Sequence, residues 1–185
     1  PRLGEVADSA RAIITTAHRA AEITHALRTL ARDSRHDPPA PVPLSGLLRD
    51  TEALCRSRFD ARGVGLRVVQ RAPELRASGR PAELLHALLA LLDNALAAAG
   101  AAPAKPWVRL EAPRVQRWIE LACIDSGAGI SAAMRARLAD PDSTDAASHG
   151  LSIARALAQR NGGELEYSSG EAPTTFVLRV PVAEE

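Results

Sequence analysis

The segment "RPAELLHALLALLDNALAAAG" limits the fold of this chain more than any other. From about Pro81 to Ala99 it is strongly apolar and Gly100 terminates it, so it reads as a helix that belongs in a core. The segments around it supply the cover such a helix needs. "VGLRVVQ" reads as a strand, "WVRLEA" and "QRWIELACID" alternate as two more, "GGELEYSS" is a turn and strand, and "TTFVLRVPV" is the last strand. A helix capped by Ser45 is expected through "LLRDTEALCRSRF" to about Ala61, stopped by Gly63, and another over "GLSIARALAQRN". The order of elements predicts an α/β two-layer sandwich, with helices on one face of a mixed or antiparallel sheet.

One long amphipathic helix precedes that sandwich, from about Asp8 to Ser34. Ile13, Ala20 and Leu27 recur every seven residues, with Ile23 and Leu30 between them, which makes one apolar seam that seeks a partner helix. His18 and His25 are also seven apart and are expected opposite the seam, in solvent. The prolines of "RHDPPAPVP" then end the helix and form a stiff, extended connector. The organisation expected is therefore a helix over 1–36, a proline-rich linker over 37–43 and a folded domain over 44–185.

Composition removes several classes of function. A net charge of +1 with interspersed acid and base, and 3% aromatic residues, argue against a dedicated nucleic-acid binder. No apolar run is expected to reach the roughly 20 residues that span a bilayer, so no membrane contact is expected. Cys55 and Cys123 are expected as buried free thiols. The chain opens on Pro1 with no leader-like segment, and is read as a fragment or processed form.

Three features at separate places suggest a ligand site. Asn94 is a polar amide in the apolar helix; its oxygen suits Mg²⁺, the alternative being a bond to a neighbouring loop. Asp125 closes a strand and begins "DSGAGI", where its carboxylate is either an acceptor for an exocyclic amine or the hinge of an Asx turn. Gly127 and Gly129 allow close approach to the backbone there. Gly150 is expected to open a helix at "SHGLSIA", where free N–H groups favour an anion.

Order and spacing then match a known pattern. From about Val42 onward the chain resembles the catalytic ATP-binding domain of two-component sensor histidine kinases, in the superfamily that also holds the gyrase, Hsp90 and MutL ATPases. "ELLHALLALLDNALAAAG" is similar to its N box, "DSGAGI" to its G1 box, and "HGLSIARALAQRNGGELEYSSGEAPTTFVLRVP" to its G2 box and C-terminal half. The resemblance implies the Bergerat-type ATP-binding fold, with ATP and Mg²⁺ as ligands. It implies that Asn94 holds the metal, Asp125 reads the adenine amine, and Gly127 and Gly129 let the backbone pass the base. Gly150 and Leu151 would open the helix facing the phosphates, Thr175 would lie near the adenine, and 131–149 would form the ATP lid. "AHRAAEITHALRTLARDS" resembles the second helix of the dimerisation and phosphotransfer hairpin. "THALRT" around His25 resembles a phosphoacceptor motif, but no second helix fits between His25 and Leu44. His25 is therefore read as a solvated helix histidine, and the acceptor is placed before Pro1 or is absent.

The function implied is the ATP-binding core of a sensor histidine kinase, passing the γ-phosphoryl to a histidine outside this chain for relay to a response regulator. Its partners would be a receiver domain and a second copy through the amino-terminal helix, and its location cytoplasmic. Ala90 stands where the N box usually carries asparagine, Ser148 where the G2 box carries its first glycine, and the lid lacks a phenylalanine box. These departures support the alternative, a degenerate kinase-like docking module with weak or no nucleotide binding.

Overall fold

The strict alternation of "WIELACID" becomes the strand on which the sheet is organised. The computed structural model of the chain describes residues 2–31, 37–70, 72–101, 105–132, 135, 146–168 and 173–184, without the side chains of 2–12, 15, 18, 19 and 146–149. In chain order the elements are α1 (Arg2–Ala31), β1 (Ala40–Pro43), α2 (Leu44–Ala61), β2 (Gly65–Val69), β3 (Arg76–Gly79), α3 (Pro81–Gly100), β4 (Trp107–Glu111), β5 (Arg114–Val115), β6 (Trp118–Asp125), α4 (Ala146–Arg160), β7 (Glu164–Tyr167) and β8 (Thr174–Pro181). The main sheet runs β2-β4-β6-β8-β7, with β5 folded back on β6. Only β2 and β4 pair in parallel among these, with β3 and α3 lying between them in sequence. The expected two-layer α/β sandwich is what forms.

Period-two alternation decides which face is covered. Val108, Leu110, Ile119, Leu121, Cys123, Phe176, Leu178 and Val180 are buried under the helices. The intervening positions form the other face, where Arg179 on β8 binds Glu120, Glu164 and Glu166 of the flanking strands. The β2 edge is partly covered. Arg56 of α2 donates to the Leu66 carbonyl at 3.0 Å, occupying an acceptor that another strand would otherwise use.

The apolar helix α3 lies at the centre, with Leu84, Leu85, Leu88, Leu91 and Leu92 buried. By length and composition α3 is apolar enough to cross a membrane, contrary to the expectation that no segment is; 67% of that stretch is buried inside the fold, as a core helix requires. Its start is tied to the end of α4 by a buried polar cluster. Asn161 accepts the Arg80 N–H at 2.7 Å and donates to Glu83 Oε2 at 2.9 Å, while Arg160 reaches Glu83 Oε1 at 2.7 Å. Arg80 also donates to the Asp37 carbonyl at 2.5 Å, which fixes the connector to the same cluster. Helix α4 stops in a Schellman arrangement: the Gly163 N–H bonds the Ala158 carbonyl and the Gly162 N–H that of Gln159, with Gly162 at φ +72°.

Several boundaries differ from expectation for local reasons. Helix α2 begins at Leu44 after Pro43 with no side-chain cap bond, so Ser45 is inside the helix and does not cap it. The end of the connector is a strand, β1, paired antiparallel with an unexpected β3. Its prolines hide the strand pattern, and proline is tolerated because this two-stranded sheet has free edges. Helix α1 runs from Arg2 to Ala31. Ala26 is its buried residue, with Ile23 and Leu30 partly covered, whereas Ile13 and Leu27 of the expected seam remain 68% and 51% exposed. Cys55 and Cys123 are free and buried as expected; burial pushes the Cys55 thiol up to about 12 and the Cys123 thiol higher still, so both stay protonated.

Candidate functional site

Helices α3 and α4 leave a cleft of about 640 Å³ between them and the ends of α1 and α2. The 3.6-residue period places His86, Ala90, Asp93, Asn94 and Ala97 of α3 along one wall, with Gly150, Leu151 and Ile153 of α4 opposite. Leu30 of α1 and Leu54 and Arg58 of α2 complete it. Asn94 is half-buried, and its amide bonds to no other described residue, so the alternative of an amide tied to a neighbouring loop has no support among those residues. Asp93 is half-exposed and pairs with Arg58 at 2.5 Å.

The turn after β6 stands beside the C-terminal part of α3. Asp125 is fully buried, and its Oδ1 accepts the Gly127 N–H at 2.8 Å. Its Oδ2 is buried with no partner among the described residues. The Asx turn therefore forms on Oδ1, while Oδ2 keeps an unused acceptor position. Burial raises the carboxyl above the usual aspartate range, although the bond from the Gly127 N–H and the neighbouring Thr174 hydroxyl act in the opposite direction. A side chain at Gly127 would lie 2.6 Å from Asp125 Oδ1 and 3.0 Å from the Ala98 Cβ, so glycine permits the turn to press on α3. Gly129 takes φ +89°, a conformation other residues rarely adopt. Ala98 is four residues past Asn94, about 6 Å along the helix, so the turn that follows Asp125 meets α3 one turn beyond Asn94. Asp125, Gly127 and Gly129 do not line the cleft itself.

Two assignments are corrected by the geometry. Register pairs Asp125 with Thr174 and Ile124 with Thr175, so strand alternation turns Thr174 toward the carboxylate and Thr175 to the opposite face. Among the described residues helix α4 runs from Ala146, so Gly150 and Leu151 lie past its first described turn. Gly150 faces α3, where a Cβ would make an ordinary contact of 3.6 Å with the Ala90 carbonyl. His25 is 69% exposed in its side chain, but its Nδ1 lies 3.2 Å from the buried Asp50 Oδ2, which ties α1 to α2. It does not line the cleft. Most of the expected lid, 133–134 and 136–145, lies outside the described residues, as does the side chain of His18.

The model of the histidine kinase-, DNA gyrase B-, and HSP90-like ATPase family matches residues 79–184, more than half of the chain. The chain belongs to this family. A curated relative, the C4-dicarboxylate transport sensor protein DctB of Rhizobium meliloti (strain 1021), is 30% identical over 180 residues, which are 96% of this chain and 29% of DctB. The chain thus spans under a third of that relative. Among solved structures, the catalytic domain of histidine kinase ThkA superposes with a TM-score of 0.68 at 19% identity, covering 80% of this chain and 99% of that one. ThkA in complex with the response regulator protein TrrA gives 0.66 at 18% identity over 78% and 42%. Full-length ShkA in complex with AMPPNP gives 0.68 at 24% identity over 91% and 36%. The fold is that of a histidine kinase catalytic domain.

As a member of this ATPase family, the chain has a donor set that suits a nucleotide better than a free metal. No group of three or more His, Cys, Asp or Glu side chains able to hold a metal occurs among the described residues. A hard cation here would need oxygens from its ligand beside Asn94, as Mg²⁺ takes from phosphates. Arg58 and Thr174 lacked a sequence signal, because each is brought to the site by pairing between distant segments, whereas His86 shares α3 with Asn94.

Proposed function

We propose that this chain is the ATP-binding catalytic core of a sensor histidine kinase, which presents the γ-phosphoryl of ATP to a histidine outside it for relay to a response-regulator receiver domain in the cytoplasm. The observation that carries the reading is the buried Asp125 Oδ2, without a partner among the described residues, on a turn that packs on α3 at Ala98, one helical turn past Asn94. An acceptor without a donor in a dry place is costly, and an adenine amine supplies that donor. Asn94 would hold Mg²⁺, which when bound neutralises phosphate charge. The backbone N–H groups of the first turn of α4 face an anion favourably. Leu30, Leu54, Leu89, Leu151 and Ile153 give the cleft apolar walls that reduce access of water. In the transfer the bond between Pγ and the bridging oxygen breaks, a bond from Pγ to an imidazole nitrogen forms, ADP departs and the imidazole proton passes to solvent. A neutral imidazole is nucleophilic near neutral pH, so the core needs no strong base, and Ala90 is compatible with the reaction.

The exposed Ile13 and Leu27, with Ala20 between them, form a seam at heptad spacing that a second copy would cover. Calorimetric titration with ADP and a non-hydrolysable ATP analogue, with and without Mg²⁺, tests the reading. Binding that weakens without Mg²⁺ and in Asn94→Ala is expected. Absence of binding by the parent chain would overturn the kinase reading in favour of a docking module.

A further inference from the structure

The cleft wall on α3 carries no lysine or arginine, from His86 through Ala97 to the last turn. A triphosphate keeps net negative charge after one divalent cation has bound, so a cleft that takes one benefits from a further cation near the phosphates. Among the described residues lining the cleft there is one guanidinium, Arg58, and it comes from α2. Its Nη1 sits 2.5 Å from Asp93 Oδ1, on the residue directly before Asn94. Both side chains are about half exposed, at 45% and 50%, so the pair is weakly held and readily exchanged for another anion. The planar fork of arginine matches phosphate oxygens as well as it matches a carboxylate.

Resting on the nucleotide reading of the cleft, we propose that Arg58 is the residue that reads the outer phosphates of the bound nucleotide. In the free protein Asp93 parks the guanidinium at the mouth of the cleft. When a nucleotide enters, the guanidinium transfers from the carboxylate to phosphate oxygens, and Asp93 remains as the competing anion. A nucleotide with a single phosphate offers too little to displace Asp93. Arg58 and Asp93 together therefore set preference for the number of phosphates.

The test compares AMP with a non-hydrolysable ATP analogue, both with Mg²⁺, by calorimetric titration into the full chain and its Arg58→Gln, Arg58→Lys and Asp93→Asn variants. Each variant is also melted to establish that it folds, as expected for a half-exposed pair. Arg58→Gln is expected to reduce the affinity ratio of analogue to AMP about tenfold, through the analogue alone. Arg58→Lys is expected to restore part of the ratio, and Asp93→Asn to raise it. An equal loss for both nucleotides, or an unchanged ratio, overturns the role of Arg58 while leaving the nucleotide site standing. Failure of the parent to bind either nucleotide overturns both.

Discussion

Asp125→Asn is expected to separate stability from recognition in one substitution. The parent carboxyl is fully buried, with the Gly127 N–H bonding Oδ1 and Oδ2 left without a partner among the described residues. An unpaired buried acceptor costs about 1–3 kcal/mol, of which the Gly127 bond offsets part. Asparagine keeps an oxygen for the Gly127 N–H, removes the charge, and turns an NH₂ toward the Thr174 hydroxyl. A net gain of about 1 kcal/mol at neutral pH follows, or about 2–4 °C in Tm for a chain of this size. The pH dependence has a definite sign. The folded carboxyl has its pKa raised, so it binds its proton more tightly folded than unfolded. Its stabilisation is full below the unfolded value and is lost as pH rises through the raised folded value. The advantage of asparagine should therefore be small in acid and grow toward neutrality. Adenine recognition should move the other way, because an NH₂ cannot accept the amine; losing a bond to a charged group costs about 1.5–3 kcal/mol, roughly 10- to 150-fold in affinity. Urea unfolding across pH, paired with calorimetric titration of ADP, reads both effects. A variant less stable than the parent at neutral pH, or a difference independent of pH, would refute the account of the carboxylate. Unchanged ADP affinity would refute its role toward adenine.

Two further substitutions probe the packing of the turn and the seam of α1. Gly127→Ala places a methyl 3.1 Å from the Ala98 carbonyl carbon and closer to Asp125 Oδ1, so it should cost about 1–3 kcal/mol in urea unfolding and weaken nucleotide binding as the carboxylate is displaced. Ile13→Glu combined with Leu27→Glu should leave melting of the monomer unchanged, since both side chains are exposed within the chain, and should abolish a concentration-dependent dimer in sedimentation; a parent that stays monomeric at high concentration would remove the seam as an interface.

Hydrophobic period alone made α3, β6 and β8 legible, because each is long and covered on a regular set of positions. β1 and β3 were hidden, since four-residue strands containing proline, or ending at glycine, carry no readable alternation. The motif placed a threonine near Asp125 but not its parity: only the β6–β8 register decides that Thr174 faces the carboxylate and Thr175 does not. The same limit applied to α1, where the heptad seam was readable but divides: Leu30 packs on the domain with Ala26, one position off the seam, while Ile13 and Leu27 stay exposed. Arg58 and Asp93 lie 35 positions apart and read singly as ordinary surface charges; their meeting depends on how α2 lies on α3.

The central place of α3 also has a consequence for how the chain is made. Strands β4 and β6 and helix α4, which cover much of α3, are all translated after it. Until α4 has left the ribosome, a helix with the length and composition of a membrane span lacks a large part of its cover. A chain arrested or cleaved between Gly100 and Ala146 thus leaves that surface open to chaperones, to aggregation and to lipid, so α4 protects the newborn protein as well as completing its helical layer.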